Sequence, residues 1–123
     1  HRNDPVLTFK NEKFYYNSVQ DGVVTSTPKD LDMLKRGMVV RANRAAHQML
    51  SESDWMVVRQ QEVGVGVLPQ WTDFRAEVRA EANAQCAGIL AAPNIDSLEN
   101  LKTNWPENPD RVAERERRES END

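Results

Sequence analysis

His47 and Cys86 are the side chains of this sequence best suited to move a proton, bind a metal or attack an electrophile, and neither has the company that such chemistry needs. No carboxylate or second histidine stands at metal-binding spacing from His47, which points to a surface or interface histidine. Cys86 is the single cysteine, so an intrachain disulfide and a zinc site built on several thiolates are both excluded. It falls in an apolar stripe, where a buried, inert thiol is expected, and no basic neighbourhood is present to activate it. Asp30 with Asp32, and Glu52 with Asp54, offer paired oxygen ligands, but acids near helix starts are what the helix dipole favours by itself. Gly64-Val65-Gly66 lacks the following glycine, lysine and hydroxyl of a phosphate-binding loop. The residues therefore point away from an enzyme, with no catalytic group, metal or cofactor expected.

Composition narrows the remaining classes. With 123 residues, 38% of them hydrophobic and 29% charged, the chain has room for one compact unit with a modest core. A formal net charge of −4 counts against binding nucleic acid or an anionic membrane, both of which need clustered lysine and arginine. No apolar run approaches the roughly 20 residues that span a bilayer, and no signal peptide pattern opens the chain, so a soluble, cytosolic protein is expected.

The periodicities predict a mainly α-helical protein, a helical hairpin or small helical unit, with a short amino-terminal β-hairpin and an extended charged carboxy-terminal tail. Val6 to Phe9 alternates loosely, and the aromatic run Phe14, Tyr15, Tyr16 follows Lys10-Asn11-Glu12-Lys13, which reads as two short strands and a tight turn. Such a hairpin is marginal alone, so it must pack on the helices or join a partner's sheet. Asp21-Gly22 marks a further turn, and residues 1–26 form the β element. A helix start is predicted with Thr27 as cap, Pro28 at the first helical position and Asp30 three residues after the cap. Leu31, Leu34, Met38, Ala42, Ala45 and Met49 then recur at helical spacing, a stripe suited either to the core or to a homo-oligomeric seam. The helix should break near Ser51, a short one should run through Trp55 and Arg59, and the glycine-containing stretch before Pro69 should be a loop.

From Trp71 the helical period returns through Phe74, Val78, Ala82, Cys86 and Ile89, ending near Ala92-Pro93. This helix separates its charges: Asp73, Glu77 and Glu81 form one row, Arg75 and Arg79 another. Like charges four apart repel mildly, so a neighbouring helix or a partner is expected to match them. Ile95, Leu98 and Leu101 mark a short helix leading to Trp105-Pro106, which two prolines stiffen. That closes the helical interaction domain, residues 27–109. The tail, residues 110–123, is too charged to bury itself.

Three tryptophans in a chain of this size exceed what its core requires, and tryptophan and arginine are frequent interface anchors. Their context is specific: Leu50-Ser51-Glu52-Ser53-Asp54-Trp55, a loop ending in proline, then Trp71 with Phe74 and Arg75, and finally Trp105-Pro106. In this order the segment from about residue 50 to 109 resembles the tail-fibre assembly proteins and tail assembly chaperones of bacteriophages, with Phe74 where tyrosine is commoner. The resemblance implies a tail protein that binds tail-fibre or other tail polypeptides in the bacterial host cytoplasm during assembly. An alternative is a permanent structural component, an adaptor or short fibre, retained in the virion tail. The residues expected to bind the partner are Trp55, Trp71, Phe74, Arg75, Arg79, Trp105 and Pro106.

Overall fold

The computed structural model describes residues 7–122. Val6, the first residue of the first predicted alternation, lies outside them, and Leu7 to Lys10 has no regular structure. The hairpin forms one segment later than predicted: β1 (Tyr15–Gln20) pairs antiparallel with β2 (Val23–Pro28), with Gln20 opposite Val23. The reason lies in the turn. Asp21 and Gly22 take φ of 53° and 76°, the two successive left-handed residues that a two-residue hairpin loop requires. Lys10 to Lys13 contains no glycine; Asn11 instead accepts the backbone N–H of Phe14 and Tyr15 at 3.0 and 2.9 Å and turns the chain into β1.

The predicted helix start is displaced for a related reason. Thr27 and Pro28 belong to β2, and the Lys29 N–H continues the pairing by donating to the Phe14 carbonyl at 2.9 Å. The cap of α1 (Leu31–Ser51) is therefore Asp30, whose carboxylate accepts the Asp32 N–H at 3.3 Å. The chain turns a corner at Ser51 to Ser53 into α2 (Asp54–Val63), which ends on Gly64 at φ 74°, the left-handed cap that glycine supplies without strain. Pro69 opens α3 (Pro69–Ala91), and the extended Ala92 before Pro93 closes it. Asn94 caps α4 (Ile95–Glu99), accepting the Ser97 N–H at 2.9 Å.

The tail is not extended. Asn108 caps α5 (Pro109–Glu121) by accepting the Asp110 N–H at 2.8 Å, and none of the helix's residues is buried. Arg115 pairs with Glu107 and Arg118 with Glu114, each at 2.7 Å, so local pairing favours a helix with no apolar face to bury.

Two apolar clusters hold the body, one at each end of an antiparallel pair formed by α1 and α3. At the end nearer the hairpin, Phe14, Tyr15, Leu34, Ile89, Ala92 and Leu98 are buried together, with Leu31 and Met38 beside them. At the other end, Ala46, Met56, Trp71, Phe74, Val78 and Ala82 are buried, with Met49, Leu50 and Trp105 packed on them. The stripe predicted as core or oligomer seam is thus turned largely inward onto α3. Leu34 and Ala42 are buried, Leu31, Met38 and Met49 flank the clusters, and Ala45 is half-buried. The small side chains Ala42, Ala46 and Ala82 suit the close approach of the two helices. The hairpin packs on the helices through Phe14 and Tyr15.

Candidate partner-binding site

Arg75 lies on the face of α3 that looks at the corner between α1 and α2. Its Nη1 donates to the Leu50 carbonyl at 2.8 Å and to Ser53 Oγ at 2.8 Å, and lies 3.0 Å from Asp54 Oδ1. Leu50 sits in the last turn of α1, where carbonyls lose their helical partners, and Asp54 is the first residue of α2. One guanidinium therefore satisfies a helix end and answers the acid that opens the next helix. Ser53 is fully buried under it, its hydroxyl donating to the Leu50 carbonyl at 3.3 Å while accepting from Arg75. Glu52 extends the same corner by accepting from Asn108 Nδ2 at 2.8 Å, which ties down the cap of α5.

Trp71 and Phe74 stand one turn apart on α3 and meet edge to face, with ring centroids 5.6 Å apart and planes at 78°. Each is only 4% exposed. Trp105 packs against the same cluster from the connector after α4, with the half-buried Pro106 next to it. The expectation that these aromatics reach outward to a partner is corrected here for Trp71 and Phe74, whose rings are consumed inside the chain. Trp105 is largely so. The physical reason is geometric: α1, α2 and α3 leave a three-sided space at their shared corner that large flat rings fill.

Trp55 stands apart from that cluster. It is 54% exposed on the outer face of α2, with the Arg59 guanidinium 4.8 Å from its ring centroid. Val58 one turn on is also exposed, and Val63, Val65 and Leu68 continue an apolar surface along the loop into α3. Trp55 and Trp71 do not share a cluster; Arg75 reaches the Trp55 side only through Asp54.

The charge rows of α3 are matched in part from within. Arg75 takes Asp54, and Glu81 accepts from Gln85 Nε2 at 2.8 Å and from the Asn104 N–H at 2.6 Å. Asp73, Glu77 and Arg79 make no ion pair among the described residues. Arg79 is exposed and borders a concavity of about 420 Å³ with Gln60, Val67 and Thr72 between α2, the loop and α3.

A second surface had no signal in the linear motifs. On the side of the α1 and α3 pair that faces β1 and the connector after α4, an open groove of about 710 Å³ runs along α1 from Met33 to Ala45. Leu34, Met38 and Ala42 lie along it on α1, Ile89 on α3, and Leu98, Leu101 and Trp105 border it on the far side. It continues into a notch of about 140 Å³ between Gly88, Ala84 and Leu101. Only the α1 stripe hinted at it, because its other walls come from segments far apart in sequence.

His47 is exposed on α1, and Cys86 is half-buried with Sγ 3.7 Å from Asn43 Oδ1. Three of the four paired acids have structural roles: Asp30 is a helix cap, Glu52 holds Asn108 and Asp54 holds Arg75. Among the described residues no group of three or more His, Cys, Asp or Glu side chains could hold a metal ion, and no helix is long and apolar enough to cross a membrane. Compared with family models, curated proteins and solved structures, the chain matches none of them.

Proposed function

We propose that this protein acts by non-covalent binding as a bacteriophage tail protein of the tail-fibre assembly type, holding tail-fibre or other tail polypeptides during assembly. The observation that carries this reading is the meeting, at one corner, of residues from all three pieces of the tryptophan pattern: Asp54 bonded to Arg75, and Trp71, Phe74 and Trp105 packed together. Within that reading Trp71, Phe74, Arg75 and Trp105 build the platform, and Trp55 with Val58 is the part presented to a partner. An exposed tryptophan held by a rigid helix is the kind of side chain that contributes most to a protein interface.

Co-expression of the affinity-tagged chain with the neighbouring tail gene products, followed by pull-down, tests the proposal. A fibre or tail polypeptide should be recovered, and Trp55→Ala combined with Val58→Ser should reduce that recovery. Failure to recover any tail product with the native sequence would sink the proposal. Mass spectrometry of purified virions separates the assembly role from the alternative of a permanent adaptor or short fibre. An assembly factor is absent from the particle, whereas a structural component is present at a fixed copy number.

A further inference from the structure

The groove along α1 combines an apolar floor with a rim whose charge runs against that of the whole molecule. The chain carries 16 Lys and Arg against 20 Asp and Glu. Around the groove and the notch it continues into, Lys13, Lys29, Arg41 and Lys102 outnumber the two acids, Glu81 and Glu99. A surface of this kind attracts an acidic partner, since complementary rim charges steer association and select against like-charged competitors. The stretch from Met33 to Ala45 is about 18 Å of helix at 1.5 Å per residue, or roughly three turns.

The long wall of the groove is helical, and the backbone groups of α1 are already paired within it. An extended segment laid along it would find no backbone partners on that wall, whereas a helix satisfies its own groups. Two methionines on α1, Met33 and Met38, give that wall the adaptable surface that helix-binding grooves use. The notch supplies a receptacle for one large apolar side chain, because Gly88 leaves open the space that a side chain there would fill. A Cβ at that position would meet Leu101 Cδ2 at 3.4 Å. The chain's own acidic helix is a poor occupant: α5 carries Val112 and Ala113 as its only apolar residues after Pro109 and presents four arginines.

We infer that this groove receives an acidic amphipathic helix of a protein partner, about three turns long, with one apolar side chain seated in the notch beside Gly88. The partner's identity as a tail polypeptide rests on the proposed function; the groove's preference does not. The test is fluorescence anisotropy with a labelled synthetic helix bearing leucines at one-turn spacing and glutamates on both flanks, compared with the same peptide carrying lysines for the glutamates. The acidic peptide should bind about tenfold more tightly than its basic counterpart. Lys13 and Arg41 are exposed, so the double variant Lys13→Glu, Arg41→Glu should keep its circular dichroism and lose or reverse that preference. Gly88→Leu should weaken the acidic peptide by filling the notch.

Equal affinities for the two peptides, no binding of either, or a preference unchanged in the double variant would overturn the inference. Sedimentation of the native protein adds a competing outcome: a dimer abolished by the same rim variant would make a second copy of this chain the occupant and displace the acidic partner. Repeating the pull-down with the rim variant separates the two readings. Undiminished recovery of a tail product removes the groove inference and leaves the function, while peptide binding without any recovered tail product does the reverse.

Discussion

Arg75 does with one side chain what the corner between α1 and α2 needs done several times over. Its side chain is 14% exposed, so the hydrogen bonds to Leu50 and Ser53 are shielded, while the 52% exposed side chain of Asp54 makes the ion pair itself the weaker part. Arg75→Ala should cost about 1.5 to 3 kcal/mol, read as a lower urea midpoint, because the buried Ser53 hydroxyl and the half-buried Leu50 carbonyl lose a charged donor, although the carbonyl keeps the Ser53 N–H. Asp54→Ala should cost under about 1 kcal/mol in the same measurement. Lysine should rescue Arg75 poorly, since an ammonium on a flexible stem does not reproduce the planar fork. Tyr15 offers a pH-dependent counterpart. Desolvation beneath the hairpin raises its phenol above the ordinary tyrosine value, and the nearby Asp96 and Glu99 add to the effect. The folded state then holds the phenolic proton more tightly than the unfolded chain does. That stability is fully present below the unfolded value of about 10 and is lost as pH rises through the folded one. Urea midpoints followed into the alkaline range should fall for the native sequence and fall less for Tyr15→Phe.

At the scale of elements, the hairpin and α5 show two ways for a weak element to persist. The hairpin relies on its Asp21-Gly22 turn and on burying Phe14 and Tyr15 at one end, leaving Val19 and Val23 exposed near the tip. α5 relies on its Asn108 cap and local charge pairs. Removing residues 109–123 should therefore change the stability of the body by no more than about 0.5 kcal/mol, seen as a thermal midpoint displaced by a few degrees at most. The truncated chain should also lose helical circular dichroism in proportion to the missing segment. The Glu52 contact to Asn108 survives this cut, which keeps the corner intact.

For the whole molecule, the division of the tryptophans between inside and outside is decisive. Trp71→Ala should cost about 3 to 5 kcal/mol, because it opens a cavity among Phe74, Met56 and Ala46. Trp55→Ala should cost no more than about 1 kcal/mol, the contribution of an exposed cation–π contact with Arg59. Equilibrium unfolding of the two variants, measured side by side, checks that contrast independently of any partner. Much of the fold was legible from local signals. The α1 stripe, the break at Ser51, Pro69 and Pro93 carry their meaning within a few residues, since capping, proline geometry and helical spacing are short-range. The displaced hairpin was legible too, in Asp21-Gly22, but the aromatic run drew the strands too far toward the amino terminus. The tail's helix was not, because its stability comes from a cap and ion pairs without an apolar period. Sequence by itself determined that α1 to α4 are helical, where they stop and which side chains form the tryptophan pattern. Only the tertiary structure decided that Trp71 and Phe74 are consumed in the core, that Trp55 is left outside, and that a basic-rimmed groove lies along α1. Burial and concavity depend on which distant segments share a space, and local spacing does not encode that.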